Sequence, residues 1–284
     1  MKDHNEYVNQ LVNKKNFFIK KKYSQNFLLD ENIIKKIIKA ANINKNTYVI
    51  EIGPGFGALT KYLVKQAKKV LLYEIDKELI PHLNKLFSNY NNIEILNKDF
   101  LKINDIDNDI KKYFNDADDI CVVSNLPYHI TTPIIMKILE ESNKVDRLII
   151  MMQLEVAKRL TSKPNSKDYN ALSVIIQDQT KANYLFKVPK TVFQPRPKVD
   201  SAIIELKILK NKVKDNKYYE FVHNCFSQRR KTLINNLSAN YDVTKAKLTN
   251  ILEKLSIPEK IRAEALTNND FKNIYNKFKE EKII

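Results

Sequence analysis

Apolar residues along this chain switch repeatedly between short unbroken runs and stripes that recur every three or four positions. The unbroken runs are rich in β-branched residues and read as strands buried on both faces. They cover Tyr48–Ile52, Lys69–Asp76, Ile93–Phe100, Asp119–Ser124, Arg147–Gln153, Ala182–Val188 and Ala202–Leu209. Helical stripes lie between them over 58–67, 77–89 and 131–142, with a further helix through Glu155–Arg159 and one ending near Gln179. An earlier helix follows Asp30, which caps a stripe of Ile33, Ile34, Ile37, Ile38 and Ala41. Strand alternating with helix predicts an α/β fold built on a mostly parallel seven-stranded sheet covered on both faces.

The pattern changes after residue 209. Lys210–Lys217 is charged and strand-poor and reads as a linker, and the rest of the chain is helical only, over 218–226, 228–237, 245–255 and 270–278. The expected organisation is therefore an α/β domain over 23–209 and a small all-helical domain over 210–284. Residues 1–22 are rich in Asn and Lys and end in Lys20-Lys21-Lys22. Two readings stand for them: a basic arm that lies along a polyanion, or a disordered extension.

Glycine usage singles out one loop. The 284 residues contain three glycines, Gly53, Gly55 and Gly57, all in the turn between the first long strand and the next helix. Strand, glycine loop and helix form a cradle in which the backbone approaches a ligand closely. The spacing is G-x-G-x-G, which fits neither the G-x-G-x-x-G dinucleotide fingerprint nor a phosphate P-loop. The second strand closes on Glu74, about 20 residues after the glycines, where a carboxylate can accept both hydroxyls of a ribose. Asp76 competes for that role or caps the following helix. The third strand ends in Asp99 and Phe100, suited to an adenine amine and an adenine face. A fourth strand runs into Asn125-Leu126-Pro127-Tyr128.

Charge narrows the partners. Lysine and arginine outnumber aspartate and glutamate 49 to 33, a net charge of +16, which favours a polyanion. Codon bias also enriches lysine and asparagine here, so part of the excess is solvated surface. Arg229-Arg230-Lys231, read as one face of a helix, is the candidate for phosphate contacts, against a plain solvated face. Cys121 and Cys225 are far apart in the sequence, and the four histidines show no ligand spacing, so no disulfide framework and no metal site is expected. No apolar run nears the roughly 20 residues that span a membrane. A cytoplasmic monomer is the simplest expectation.

These motifs resemble a known family. Glu51-Ile-Gly-Pro-Gly-Phe-Gly, Glu74-Ile-Asp76 and Asp99 are similar to the cofactor motifs of class I S-adenosylmethionine methyltransferases, which have a Rossmann-like fold. Asn125-Leu-Pro-Tyr128 resembles the motif of enzymes that methylate an exocyclic amine. Tyr23-Ser-Gln-Asn-Phe-Leu-Leu-Asp30 and Phe193-Gln-Pro-Arg-Pro-Lys-Val-Asp-Ser201 resemble signatures of the ribosomal RNA adenine dimethyltransferases. With Thr132-Pro133 and Arg229-Arg-Lys-Thr-Leu233, they favour the KsgA-type small-subunit enzymes over the Erm type that methylates 23S rRNA.

The resemblance implies S-adenosyl-L-methionine as methyl donor, S-adenosyl-L-homocysteine as product, and no metal. It implies two adjacent adenosines near the 3′ end of small-subunit rRNA as substrate, dimethylated on N6 within an assembling subunit. Asn26, Leu28, Gly53, Gly55, Glu74, Asp99 and Asn125 would hold the cofactor. Asn125 and the Leu126 carbonyl would accept from the adenine amine, Pro127 would fix the backbone, Tyr128 would stack on the base, and Phe193 would wall it. Two alternatives remain: an Erm-type enzyme, and a non-catalytic RNA-binding assembly factor on the same fold. Intact Asn125, Tyr128, Glu74 and Asp99 weigh against the second.

Overall fold

In the computed structural model, residues 26–115, 117–210 and 215–284 are described. The basic arm expected at 1–22, and Tyr23, Ser24 and Gln25 of the first signature, lie outside them.

The first strand, β1 (Phe27–Leu28), leads into α1 (Glu31–Ala41). The Asp30 carboxylate opens α1 by accepting from Asn32 and Ile33 N–H at 2.8 and 3.0 Å, and Asn42 ends it in the left-handed region at φ 47°. Ile34, Ile37, Ile38 and Ala41 are buried, each larger side chain contributing about 1.5–3 kcal/mol on removal from water. The chain continues through β2 (Tyr48–Ile52), α2 (Thr60–Gln66), β3 (Lys69–Tyr73), α3 (Ile80–Leu86) and β4 (Ile93–Leu96). Next come α4 (Ile106–Phe114), β5 (Ile120–Asn125), α5 (Thr131–Glu141), β6 (Arg147–Gln153) and α6 (Leu154–Leu160). After these are α7 (Ala171–Gln179), β7 (Thr180–Val188), β8 (Phe193–Gln194) and β9 (Ser201–Ile208). The last four helices are α8 (Asn216–Cys225), α9 (Leu233–Asn240), α10 (Lys245–Lys254) and α11 (Asn268–Glu280).

Seven strands form one sheet in the order β4-β3-β2-β5-β6-β9-β7. The pairs β3–β4, β2–β3, β2–β5 and β5–β6 are parallel, and β9 runs antiparallel to β6. This is the α/β architecture that the alternation predicts, and it is Rossmann-like as the resemblance implies. Val49, Ile50, Val70, Leu72, Cys121, Val123 and Ile149 are wholly buried, as strands covered on both faces require. One helix had no expectation: α4, capped by Asp105, buries Ile106, Ile110 and Phe114 at every fourth position.

The chain divides into two compact units, one of Met1–Ala157 with Asn183–Ile208 and one of Lys158–Ala182 with Leu209–Ile284. The second unit thus takes in α7, which the sequence pattern places in the α/β domain. Its core is aromatic. The Phe221 ring lies 5.5 Å from Tyr275 and 5.2 Å from Phe278, and Phe226 stacks on Phe271 at 5.6 Å. Helix α9 starts at Leu233, not at 228, because Thr232 is its cap and the buried Asn236 amide donates to the Cys225 and Gln228 carbonyls. The cluster Arg229-Arg230-Lys231 therefore sits on the turn before α9, not along a helix face.

Candidate active site

Parallel strands deliver their C-terminal ends to one edge of the sheet. Strand order reverses between β2 and β5, since β3 and β4 extend one way and β5 and β6 the other. A crevice outside the strand ends at such a switch point is where open α/β sheets bind ligands. The glycine loop leaves β2 there, and Asn125 closes β5 beside it.

All three glycines have positive φ, at 69°, 59° and 80°. A Cβ on Gly55 would fall 3.1 Å from the Phe27 ring, and one on Gly57 would fall 2.9 Å from Phe87. The first marks a close approach at the site; the second lets the loop pack on the helix layer. Phe27, which sequence reasoning passed over between Asn26 and Leu28, thus covers the loop, and it packs on Phe56 at 4.5 Å.

Glu74 is 3 % exposed. One carboxylate oxygen accepts from Gly55 N–H at 3.1 Å and the other from Asp76 N–H at 2.8 Å. Burial raises its pKa against the opposing effect of these hydrogen bonds. Asp76 accepts from Glu78 N–H at 3.2 Å in a turn before α3, which starts at Ile80 and not at Lys77. Glu51, on β2, is buried beneath the loop and accepts from the Thr60 hydroxyl at 2.6 Å. Burial pushes its pKa up to about 8, with the Thr60 bond opposing and the Glu74 charge adding.

The half-buried Asp99 accepts from Leu101 N–H at 3.1 Å. Phe100 is not an open adenine wall: it is 4 % exposed and meets Tyr73 edge-on at 5.1 Å. The apolar surface at these strand ends belongs instead to Ile75, 42 % exposed, directly after Glu74.

At the end of β5, Ser124 Oγ accepts from Ile52 N–H at 2.8 Å and ties β5 to β2. The Asn125 amide donates through Nδ2 to the Asn26 carbonyl at 3.2 Å. Leu126 is buried, and Pro127 Cδ lies 3.9 Å from the Cβ position of Gly53, so the Asn-Leu-Pro-Tyr turn abuts the glycine loop. The Pro127 carbonyl accepts from the Thr131 hydroxyl and from Ile130 N–H, both at 3.1 Å. Tyr128 is half-buried, and its hydroxyl pairs with that of Ser201 at 2.7 Å.

Two sequence-distant signatures meet at this edge. Strands β1 and β8 pair antiparallel, Phe27 opposite Gln194 and Leu28 opposite Phe193, and Leu29 N–H donates to the Val192 carbonyl at 3.0 Å. This ladder buries Phe193 to 3 % exposure in the apolar core around Leu28 and Val188. The ring presents no free face for a base, so an open aromatic wall at Phe193 is not what the structure holds.

In the helical unit, Arg229 Nε contacts Glu264 Oε2 at 3.1 Å and Nη2 donates to the Lys167 carbonyl at 2.7 Å. Arg230 and Lys231 beside it are exposed. No group of three or more His, Cys, Asp or Glu among the described residues is placed to hold a metal ion, and no helix among them is long and apolar enough to cross a membrane.

The family model of ribosomal RNA adenine dimethylases matches residues 16–280. The chain belongs to the ribosomal RNA adenine dimethylase family. Curated proteins resemble it over nearly its whole length. The ribosomal RNA small subunit methyltransferase A of Bacillus licheniformis is 43 % identical over 278 residues, 95 % of each chain. That of Bacillus pumilus is 43 % identical over 274 residues, 94 % of each. Among solved structures, a dimethyladenosine transferase from Plasmodium falciparum superposes with a TM-score of 0.76 at 30 % identity, covering 90 % of this chain and 98 % of that one. The 23S rRNA methyltransferase ErmE superposes with a TM-score of 0.68 at 26 % identity, covering 89 % and 99 %.

Proposed function

We propose that this dimethylase-family chain transfers methyl groups from S-adenosyl-L-methionine to the N6 amines of two adjacent adenosines near the 3′ end of small-subunit rRNA, within an assembling subunit. The observation that carries this reading is the placement of Asn125. Its amide hangs at the end of β5 beside the glycine loop, with Nδ2 held by the Asn26 carbonyl, so that Oδ1 is left as the acceptor.

The crevice suits the cofactor chemically. A backbone loop that a Cβ at Gly55 would obstruct, the Glu74 carboxylate at the end of β3, and the exposed Ile75 match a donor with a ribose and an adenine. Glu74 would take the ribose hydroxyls, Asp99 the adenine amine and Ile75 the adenine face. Gly53, Gly55 and the Asn26–Leu28 segment would hold the amino-acid end. When bound, the cofactor supplies an electrophilic methyl group with a good leaving group, so no protein nucleophile is required.

What the chain must do is align and dry the site. The adenine amine is a poor nucleophile because its lone pair is delocalised into the ring. Asn125 Oδ1 and the Leu126 carbonyl accept its two N–H bonds and favour the pyramidal form, which aims the lone pair. Pro127 fixes the carbonyl before it, and the half-buried Tyr128 offers the ring on which the base stacks. A paired base cannot reach this depth, so the target is unpaired or flipped. Arg230 and Lys231 on the helical unit, and the basic stretch 1–22, would contact rRNA phosphates.

The test is methyl transfer from labelled S-adenosylmethionine to under-methylated small-subunit particles and, in parallel, to large-subunit RNA, followed by nucleoside analysis. Dimethyladenosine in the small-subunit sample alone is the expected result. Label in the large-subunit RNA alone would establish the Erm-type activity, and none in either would leave an assembly factor without catalysis.

A further inference from the structure

The hydroxyls of Tyr128 and Ser201 are 73 residues apart in sequence and 2.7 Å apart in space. Their settings differ. Tyr128 begins a single 3₁₀ turn, Tyr128–Ile130, and is half-buried, so water could satisfy its hydroxyl if the ring swung outward. Ser201 is fully buried at the first position of β9, opposite Gln153 of β6.

The residue before Ser201 is held by three contacts. The preceding Asp200 accepts through its carbonyl from Leu154 N–H at 3.0 Å. Its carboxylate accepts from Lys190 N–H at 2.9 Å and pairs with the Lys187 ammonium at 2.8 Å. A hydroxyl on so fixed a frame can hold the Tyr128 ring in one orientation.

We propose that Ser201 is a positioning residue for methyl transfer, its buried hydroxyl holding the Tyr128 ring at the angle and depth on which the target adenine stacks. The proposal rests on the functional reading above. It assigns work to the serine that closes the Phe193–Ser201 signature, and it makes the sheet's antiparallel strand part of the base site. The second transfer is the more demanding. Its substrate, N6-methyladenosine, carries a methyl that must turn away from the donor while the remaining N–H and lone pair stay aligned. A ring free to tilt loses that alignment first, since small misplacements in a near-attack geometry cost rate steeply.

The experiment compares wild type, Ser201→Ala, Tyr128→Phe and the double variant on under-methylated small-subunit particles, reading kcat, KM for the particle and the ratio of monomethyl- to dimethyladenosine. Loss of one neutral hydrogen bond is expected to lower kcat about three- to tenfold. Both single variants should raise the monomethyl fraction, and the double variant should be no worse than either, as expected for a single interaction. Cofactor affinity by calorimetry should stay at the wild-type value. Wild-type kcat and product ratio in Ser201→Ala, or additive losses in the double variant, overturn the proposal. Should Ser201→Ala fail to fold, Tyr128→Phe keeps the ring and decides alone: an unchanged ratio overturns. Wild type making no dimethyladenosine overturns the functional reading itself, a result distinct from either.

Discussion

The side-chain amide of Asn125 donates to the main-chain carbonyl of Asn26, a residue 99 positions earlier, at 3.2 Å. That bond orients the amide, and the orientation is what makes Asn125 an acceptor. Asn125→Ala is expected to leave cofactor affinity near wild type while reducing methyl transfer by about 100-fold or more, the usual cost of deleting one preorganised polar contact to the reacting centre. Calorimetry paired with transfer assays separates the two; a large loss of cofactor affinity would place Asn125 in the cofactor pocket alone.

Gly57 has no room for a side chain. At φ 80°, and with a Cβ position 2.9 Å from the Phe87 ring, Gly57→Ala should destabilise the fold by about 2–4 kcal/mol. Gly53→Ala, whose added methyl meets only Pro127 Cδ at 3.9 Å, should cost less, about 1–2 kcal/mol from backbone conformation. Denaturant unfolding of the two variants checks the order.

Glu51 makes stability depend on pH. Its folded pKa, pushed up to about 8, lies above the ordinary 4.5, so the fold favours the protonated form. The favourable contribution is complete below pH 4.5 and is lost as pH rises through 8. Glu51→Gln, which keeps an acceptor for Thr60, should be more stable than wild type at pH 8 by an amount on the order of a few kcal/mol, with little difference at pH 4.5. Melting curves across that window, without cofactor, test it; parallel curves would mean Glu51 ionises normally.

The three basic residues before α9 should not behave alike. Arg229 is committed to Glu264 and Lys167, whereas Arg230 and Lys231 are exposed beside it. Neutralising Arg230 and Lys231 together should lower the slope of log affinity against log salt by about 1.5 for RNA binding. Arg229→Ala should change it less. A slope unaffected by the double change would make the turn plain surface.

The sheet was legible because buried parallel strands are written as unbroken β-branched runs, and all seven fall within a few residues of where those runs lie. Helix α4 was not. Ile-Asp-Asn-Asp-Ile-Lys-Lys-Tyr-Phe carries too many asparagines and aspartates to stand out, and what makes it helical is tertiary: Ile106, Ile110 and Phe114 have a core to enter, and Asp109 accepts from Tyr73. At the site, the glycines, Glu74 and Asn125 were legible as motifs, because their chemistry demands particular residue types at one loop or strand end. Their mutual contacts were not, since the Asn26–Asn125 and Tyr128–Ser201 bonds span 99 and 73 residues. Phe100 and Phe193 misled for the same reason. An aromatic beside a motif reads as a ligand wall, and only packing shows that Tyr73 and the Leu28 ladder have already claimed them.

The two cysteines carry a practical consequence. Cys121 lies in the middle of the sheet and Cys225 at the end of α8, both wholly enclosed, and burial raises the pKa of each, that of Cys121 to about 12. Maleimides and iodoacetamides attack thiolates, so neither native sulfur competes for such a reagent at neutral pH. A cysteine introduced at exposed Arg230 would become the sole fast-reacting handle. A fluorophore there could report RNA arrival on the helical unit in real time without removal of any native residue that the core depends on.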